Sequence, residues 1–296
     1  MRSILTSAAA AVALAAALPA AAGTPPAAEA AIQTPAPPAG SPPVGGGRGR
    51  HFVHGGGASG RTPLLVLHGA FMSSDAMKPL TDLISDRPLI VVDQRGHGRT
   101  GDLPGPITYE ALADDAAAVL ADAGVRKADV FGYSMGAGAA LQLALRHPER
   151  VDHLVIASVS FNEAGNLPGF SEMMDQITPE MFAGSAMEAE FKRLSPNPEA
   201  FASVVNKIKV MDRGQDWPTE DIRALPHPTF IIVGDHDIVR PEHAVELYRL
   251  RGGGETARAA QPFLMEPPPA RLAVLPGSSH IGGFGDPGLL AGVIPP

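Results

Sequence analysis

The chain has no cysteine among its 296 residues, and that absence removes several chemistries at once. It rules out a disulfide framework, a thiolate nucleophile, thiolate metal ligation and a lipidated cysteine anchor. Basic clusters are missing too. Lysines and arginines (23) are outnumbered by aspartates and glutamates (31), so neither nucleic acid nor an anionic membrane surface is expected as a partner. The apolar run at residues 4–18 is too short and too alanine-rich for a comfortable membrane span, and no stable membrane association is expected. There is no Gly-Lys-Ser/Thr phosphate loop and no internal repeat at a fixed period. Asp235, His236, Asp237 and His243 could be gathered into a metal cluster, but a His pair at i, i+4 with a third ligand is lacking. No metal and no organic cofactor are expected.

What is present begins with a leader-like start. Arg2, the apolar segment 4–18, Pro19 and the small run Ala20-Ala21-Ala22-Gly23 have the order of a secretory signal peptide over 1–22. That reading implies a secreted or periplasmic protein, or a cytoplasmic one if the start is misassigned. Residues 23–50 are Pro, Ala and Gly with almost no large apolar side chain. Such a segment cannot bury enough surface to offset its ordering entropy, so it is expected to be a disordered linker. The remaining 51–296 carry the folded domain.

Within that domain a strand–helix alternation appears. Residues 64–67 and 89–92 are continuous apolar runs, as expected of strands covered on both faces. A helix is predicted over 109–123, a strand over 128–133, a helix over 135–147 and a strand over 151–157. From 161 to 225 no strand pattern occurs. Helix-compatible pieces around 171–177, 179–182, 186–194 and 199–211 are punctuated by Pro168, Pro179, Pro196, Pro198 and Pro218. This is read as a helical cap insertion. Strand 229–233, helix 241–250 and strand 271–275 complete a mostly parallel α/β sheet with helices on both faces.

Ligands of such sheets sit beyond the C-terminal strand ends, and four polar segments fall there. Gly132-Tyr133-Ser134-Met135-Gly136 lies between a strand and a helix, where a serine is forced into a sharp exposed turn. Ser134 needs a base, because a free hydroxyl is a poor nucleophile. His280, in Gly277-Ser278-Ser279-His280, is the candidate. A carboxylate must hold its tautomer, and Asp237 or Asp235 can do so; periodicity alone does not separate them. Backbone N–H groups of Met135 and Ala70 are the expected oxyanion donors, with Phe71 as the alternative. Asp93-Gln94-Arg95-Gly96-His97-Gly98-Arg99 reads as a structural turn.

With these residues in hand, the chain from about 63 onward resembles the α/β-hydrolase superfamily, in its cap-bearing serine-esterase-like branch. The resemblance rests on Leu67-His68-Gly69, the 93–98 segment, the serine pentapeptide, Val233-Gly234-Asp235-His236-Asp237 and Pro276-Gly277-Ser278-Ser279-His280. It implies an α/β-hydrolase fold with a helical cap at about 161–225, a Ser134–Asp237–His280 triad, and Ala70 and Met135 at the oxyanion hole. It favours Asp237 over Asp235, because the family's acid usually falls three residues after the glycine. The implied activity is hydrolysis of small to medium hydrophobic carboxylic esters through an acyl-enzyme. Perhydrolase, haloperoxidase, lactonase or amidase chemistry on the same residues, and a non-catalytic ligand-binding role, are the alternatives. Two departures stand out: only residues 51–53 look extended ahead of the first core strand, and the final helix from 287 is short.

Overall fold

The computed structural model describes residues 52–56, 60–260, 263, 266, 268–281 and 287–294. The expected leader and linker, 1–50, lie outside the described residues. Among the described residues seven strands form one sheet: β1 (Phe52–Gly56), β2 (Leu64–Leu67), β3 (Leu89–Asp93), β4 (Ala128–Tyr133), β5 (Val151–Ala157), β6 (Thr229–His236) and β7 (Ala270–Ser279), in the order β1-β3-β2-β4-β5-β6-β7. β1 pairs antiparallel with β3 and every other pairing is parallel. The extended stretch ahead of the core strands is therefore a full antiparallel edge strand, longer than the sequence suggests.

Parallel neighbours require crossovers. These are made by α1 (Lys78–Thr81) between β2 and β3, α2 (Tyr109–Asp122) between β3 and β4, and α3 (Met135–Arg146) between β4 and β5. The two-residue period of a strand then sorts the core into two layers. Leu65, Leu67 and Val130 face α2 and α3, packing on Leu112, Leu120, Leu141 and Leu143. Leu64, Val66 and Phe131 face the other side, with Leu80 of α1 and Leu290. Burial on both faces explains why β2 reads as an unbroken apolar run. Because β2 sends the chain to β3 on one side and receives β4 on the other, the crevice of the sheet opens at the C-terminal end of β2.

Between β5 and β6 lie α4 (Phe170–Gln176), α5 (Ala186–Leu194), α6 (Phe201–Lys209) and α7 (Thr219–Ala224), with 3₁₀ turns at Pro179–Phe182 and Pro198–Ala200. α7 is absent from the sequence reading, which takes Pro218 only as punctuation. Pro218 instead stands at the helix N-terminus, where its missing N–H costs nothing, and Glu220 and Asp221 face the positive end of the helix dipole. This helical segment docks on the loops after β2 and β3. Phe182 stacks on Phe71 with ring centroids 4.9 Å apart, the Lys207 ammonium sits 2.6 Å from Asp102, and Ser73 donates to Glu190. Both ends of the segment are tied together, since Trp217 N–H donates to Phe161 O at 2.9 Å and Asn162 bridges Asp216.

After β6 come α8 (Pro241–Leu250) and α9 (Thr256–Ala259); α10 (Pro287–Val293) follows β7. The last two strands run further than their apolar cores at 229–233 and 271–275. Pairing continues through Gly234↔Leu275 to His236↔Ser279, with a register shift between them. A Cβ on Gly234 would lie under 3.0 Å from Ser278 O, so only glycine lets the strands approach this closely. Segment 277–279, read from sequence as loop, is thus strand. Among the described residues no helix is long and apolar enough to cross a membrane.

Candidate active site

Ser134 sits at the junction of β4 and α3 with φ 53° and ψ −118°, a conformation sterically disfavoured for a side-chain-bearing residue. Its surroundings hold it there. Ser134 N–H donates to Ala157 O of β5 at 2.9 Å, and Ser134 O accepts from Ala137 N–H and Gly138 N–H of α3. A Cβ on Gly132 would meet Gly136 O, and one on Gly136 would meet Leu67 O and His68 O, all under 3.0 Å. The glycines flanking the serine are the price of this tight strand–helix approach.

The Ser134 hydroxyl lies 2.9 Å from His280 Nε2, and His280 Nδ1 lies 2.7 Å from Asp237 Oδ1. A carboxylate can only accept, so Nδ1 carries the proton and the Nε2 lone pair faces the hydroxyl. The Tyr133 hydroxyl, from the residue before the serine, donates to the His280 carbonyl and anchors the far segment to the elbow. Burial and the nearby Asp237 carboxylate push the Tyr133 phenol up, keeping it a neutral donor.

Asp237 is 4% exposed and fully partnered. Its Oδ1 accepts from His280 and from Val239 N–H at 3.2 Å. Its Oδ2 accepts from Ser158 Oγ–H at 2.5 Å and Gly234 N–H at 3.3 Å. Burial pulls its pKa up, but the donors, His280 first, outweigh that and hold the carboxyl below the usual range. Asp235 is placed differently. It accepts from Gly277 N–H at 2.9 Å and Ser278 N–H at 3.0 Å, clipping β7 to β6 at the rim, and pairs with the exposed ring of His236. Of the two candidate acids, Asp237 alone touches His280.

Met135 opens α3, and the first N–H groups of a helix have no partner within it. The other expected donor, Ala70, follows His68-Gly69 at the end of β2. Phe71 N–H, the alternative, is already committed: it donates to His97 Nε2 at 3.0 Å. This gives the 93–99 turn a function that the sequence reading misses. His97 donates from Nδ1 to Arg95 O at 2.9 Å; His68 receives Gln94 N–H on Nε2 at 3.1 Å and donates from Nδ1 to Gly69 O at 2.8 Å. Two neutral imidazoles thereby brace segment 68–71. Burial, reinforced by the neighbouring His68, pushes the His97 pKa down to about 3, and burial lowers that of His68 as well. Asp93, wholly buried, takes Ser74 N–H at 2.6 Å and Arg99 N–H at 2.9 Å and locks the turn itself.

Among the described residues Asp235, His236, Asp237 and His243 form no common ligand set. His243 is buried against Phe161, where its Nε2 accepts Phe161 N–H at 3.2 Å. The acidic group that does converge is Asp129, Asp152 and His153 at the opposite end of the strands. Its charge is already met by Arg87, 2.6 Å from Asp129, and Lys127, 2.7 Å from Asp152.

An apolar cleft lies against the segment after β2, lined by Phe71, Met72, Met187, Phe191, Leu194 and Val204, with Ser73, His97 and Glu190 as its polar members. As it stands the cleft has room for about one water.

Comparison with known proteins gives one consistent answer. Residues 62–207 match the family model for the α/β-hydrolase fold. The chain is 32% identical over 217 residues to a 2-hydroxymuconate semialdehyde hydrolase of Pseudomonas sp. (strain CF600), covering 65% of this chain and 75% of that one. It is 37% identical over 113 residues to a putative carbamate hydrolase, RutD, of Caulobacter vibrioides, but that match spans only 42% of the relative's length and 37% of this chain. Among solved structures, an α/β hydrolase from a Medee basin deep-sea metagenome library superposes with a TM-score of 0.63 at 17% identity, over 83% of this chain and 92% of that one. On these matches, with a serine elbow at the end of a parallel central sheet, the chain belongs to the α/β-hydrolase family.

Proposed function

We propose that the protein is a serine hydrolase that cleaves small to medium carboxylic esters through an acyl-enzyme. The observation that carries this reading is the unbroken relay from Ser134 Oγ to His280 Nε2, 2.9 Å, and from His280 Nδ1 to Asp237, 2.7 Å. In the first half-reaction Ser134 Oγ bonds to the ester carbonyl carbon while His280 Nε2 takes the hydroxyl proton. The oxyanion so formed is met by Met135 N–H and Ala70 N–H. Collapse expels the alcohol, which receives the proton from His280, and leaves Ser134 acylated. Water then repeats the sequence on the acyl group and frees the acid. Asp237 stays ionised throughout, fixing the ring and stabilising its cationic form. The apolar cleft supports a hydrophobic acyl or alcohol group.

Relatives are named for carbamate and semialdehyde hydrolysis, so those two substrate classes are to be tested beside the ester. Labelling with a fluorophosphonate probe and peptide mapping checks nucleophile and activation together. Modification at Ser134 is expected, abolished in Ser134→Ala and strongly reduced in His280→Ala. A folded wild-type protein that stays unlabelled would replace the enzyme reading with a ligand-binding one. A p-nitrophenyl ester series of increasing chain length then maps the cleft.

A further inference from the structure

Three described residues other than glycine have a positive φ: Phe71 at 60°, Ser134 at 53° and Ser158 at 58°. They fall just beyond β2, β4 and β5, three strands adjacent in the sheet. Phe71 and Ser134 belong to the site already described. Ser158 has no part in the reaction as written, yet it too has a positive φ at the same rim. Glycine would adopt its backbone freely, so the presence of a hydroxyl there calls for an explanation.

That hydroxyl has one destination. Ser158 Oγ–H donates to Asp237 Oδ2 at 2.5 Å, the shortest of the four bonds to this carboxylate; the backbone donors Gly234 and Val239 stand at 3.3 and 3.2 Å. Ser158 N–H is meanwhile tied to Ile232 O of β6 at 2.8 Å, so its backbone is fixed to the strand that Asp237 directly follows. Ser158 is 9% exposed, which leaves little water to compete for the bond. Rotation of the carboxylate about its terminal torsion is soft. Ser158, with the weaker Gly234 N–H beside it, holds Oδ2 and so helps keep Oδ1 aimed at His280 Nδ1.

We infer that Ser158 is a positioning residue of the hydrolytic site: its strained backbone delivers a hydroxyl that locks the Asp237 carboxylate toward His280. The inference rests on the proposed function for its kinetic consequence, though not for its geometric one.

Ser158→Gly separates this role from a structural one, because glycine relieves the positive φ while removing the hydroxyl. The variant should keep or raise Tm, leave KM unchanged and lose about ten- to a hundredfold in kcat, the range for one hydrogen bond to a charged group. Ser158→Ala, which keeps the strain, should lose the same in kcat with a lower Tm. Nitrogen-15 NMR of the histidine rings reads the geometry without turnover: wild type should hold His280 as the single Nδ1–H tautomer, and Ser158→Gly should mix the two. A Ser158→Gly variant with wild-type kcat and tautomer would overturn the inference, as would a kcat loss explained by a matching fall in Tm. A wild-type enzyme inert on esters, whose His280 tautomer still responds to Ser158→Gly, would count against the proposed function and leave the positioning role standing.

Discussion

Replacing Asp237 by asparagine is the perturbation that asks most of this site. The carboxylate faces four donors: His280 and Val239 on one oxygen, Ser158 and Gly234 on the other. An amide must turn an NH₂ group to one of these pairs. Turned toward Ser158, it meets a hydroxyl that can swing round to accept, but it also confronts Gly234 N–H, and the charge that stabilises the His280 cation is gone. Turned toward His280, it forces the proton onto Nε2, and the ring can no longer take one from Ser134. Either way turnover falls. We expect a loss of about four orders of magnitude in kcat, or about 5.4 kcal/mol at 1.36 kcal/mol per decade, with the fold intact. Asp235→Asn is the control. That side chain clips Gly277 and Ser278 and pairs with His236 at the exposed rim, and its loss should cost no more than a few-fold. Steady-state kinetics on a p-nitrophenyl ester, beside melting curves of both variants, decides the matter. Equal losses in the two variants would refute the assignment of Asp237 as the acid.

Two further outcomes are expected. The unfolded chain protonates histidine near 6.5, whereas His97 in the fold stays neutral until about pH 3; below about 6.5 the unfolded state therefore binds the extra proton, and stability falls with acid by up to about 1.4 kcal/mol per pH unit for that ring. Melting temperature between pH 7 and pH 4 should decline steadily, and a flat profile would mean that the ring accepts its proton in place. Gly136→Ala would set a methyl under 3.0 Å from the backbone oxygens of Leu67 and His68, which cannot rotate away. Overpacking of about 1–3 kcal/mol, at about 2–4 °C per kcal/mol for a domain of this size, should lower Tm by several degrees, and kcat should drop with it because the same contact seats Ser134; unchanged Tm and kcat would show that the helix can slide.

Much of the sheet is legible in the sequence because its strands are covered on both faces. Runs such as Leu64–Leu67 and Val151–Ala157 carry their own boundaries. The edges are less legible. β6 and β7 extend beyond their apolar cores through Gly234 and Gly277, held by the Asp235 carboxylate rather than by any hydrophobic period. α7 follows a proline and spans six residues, too few to show a helical stripe. At the site, glycine-flanked Ser134 and the Gly/Ser-bounded His280 announce themselves, and the structure brings both together with Asp237. Ser158 and His97 do not announce themselves. Their importance lies in one oxygen and one ring nitrogen reaching across the sheet rim from distant positions, and no local pattern encodes such a meeting.

The helical segment leaves after β5 and returns at β6, two strands that lie side by side, and its ends are stitched to each other by Trp217–Phe161 and Asn162–Asp216. The relay itself involves no residue between those stitches. A graft is thus possible in principle: an unrelated sequence joined at the same two points could bring a new selectivity to an unaltered engine. In a lineage built this way, the residues that choose the guest and those that break the bond are free to change on separate clocks.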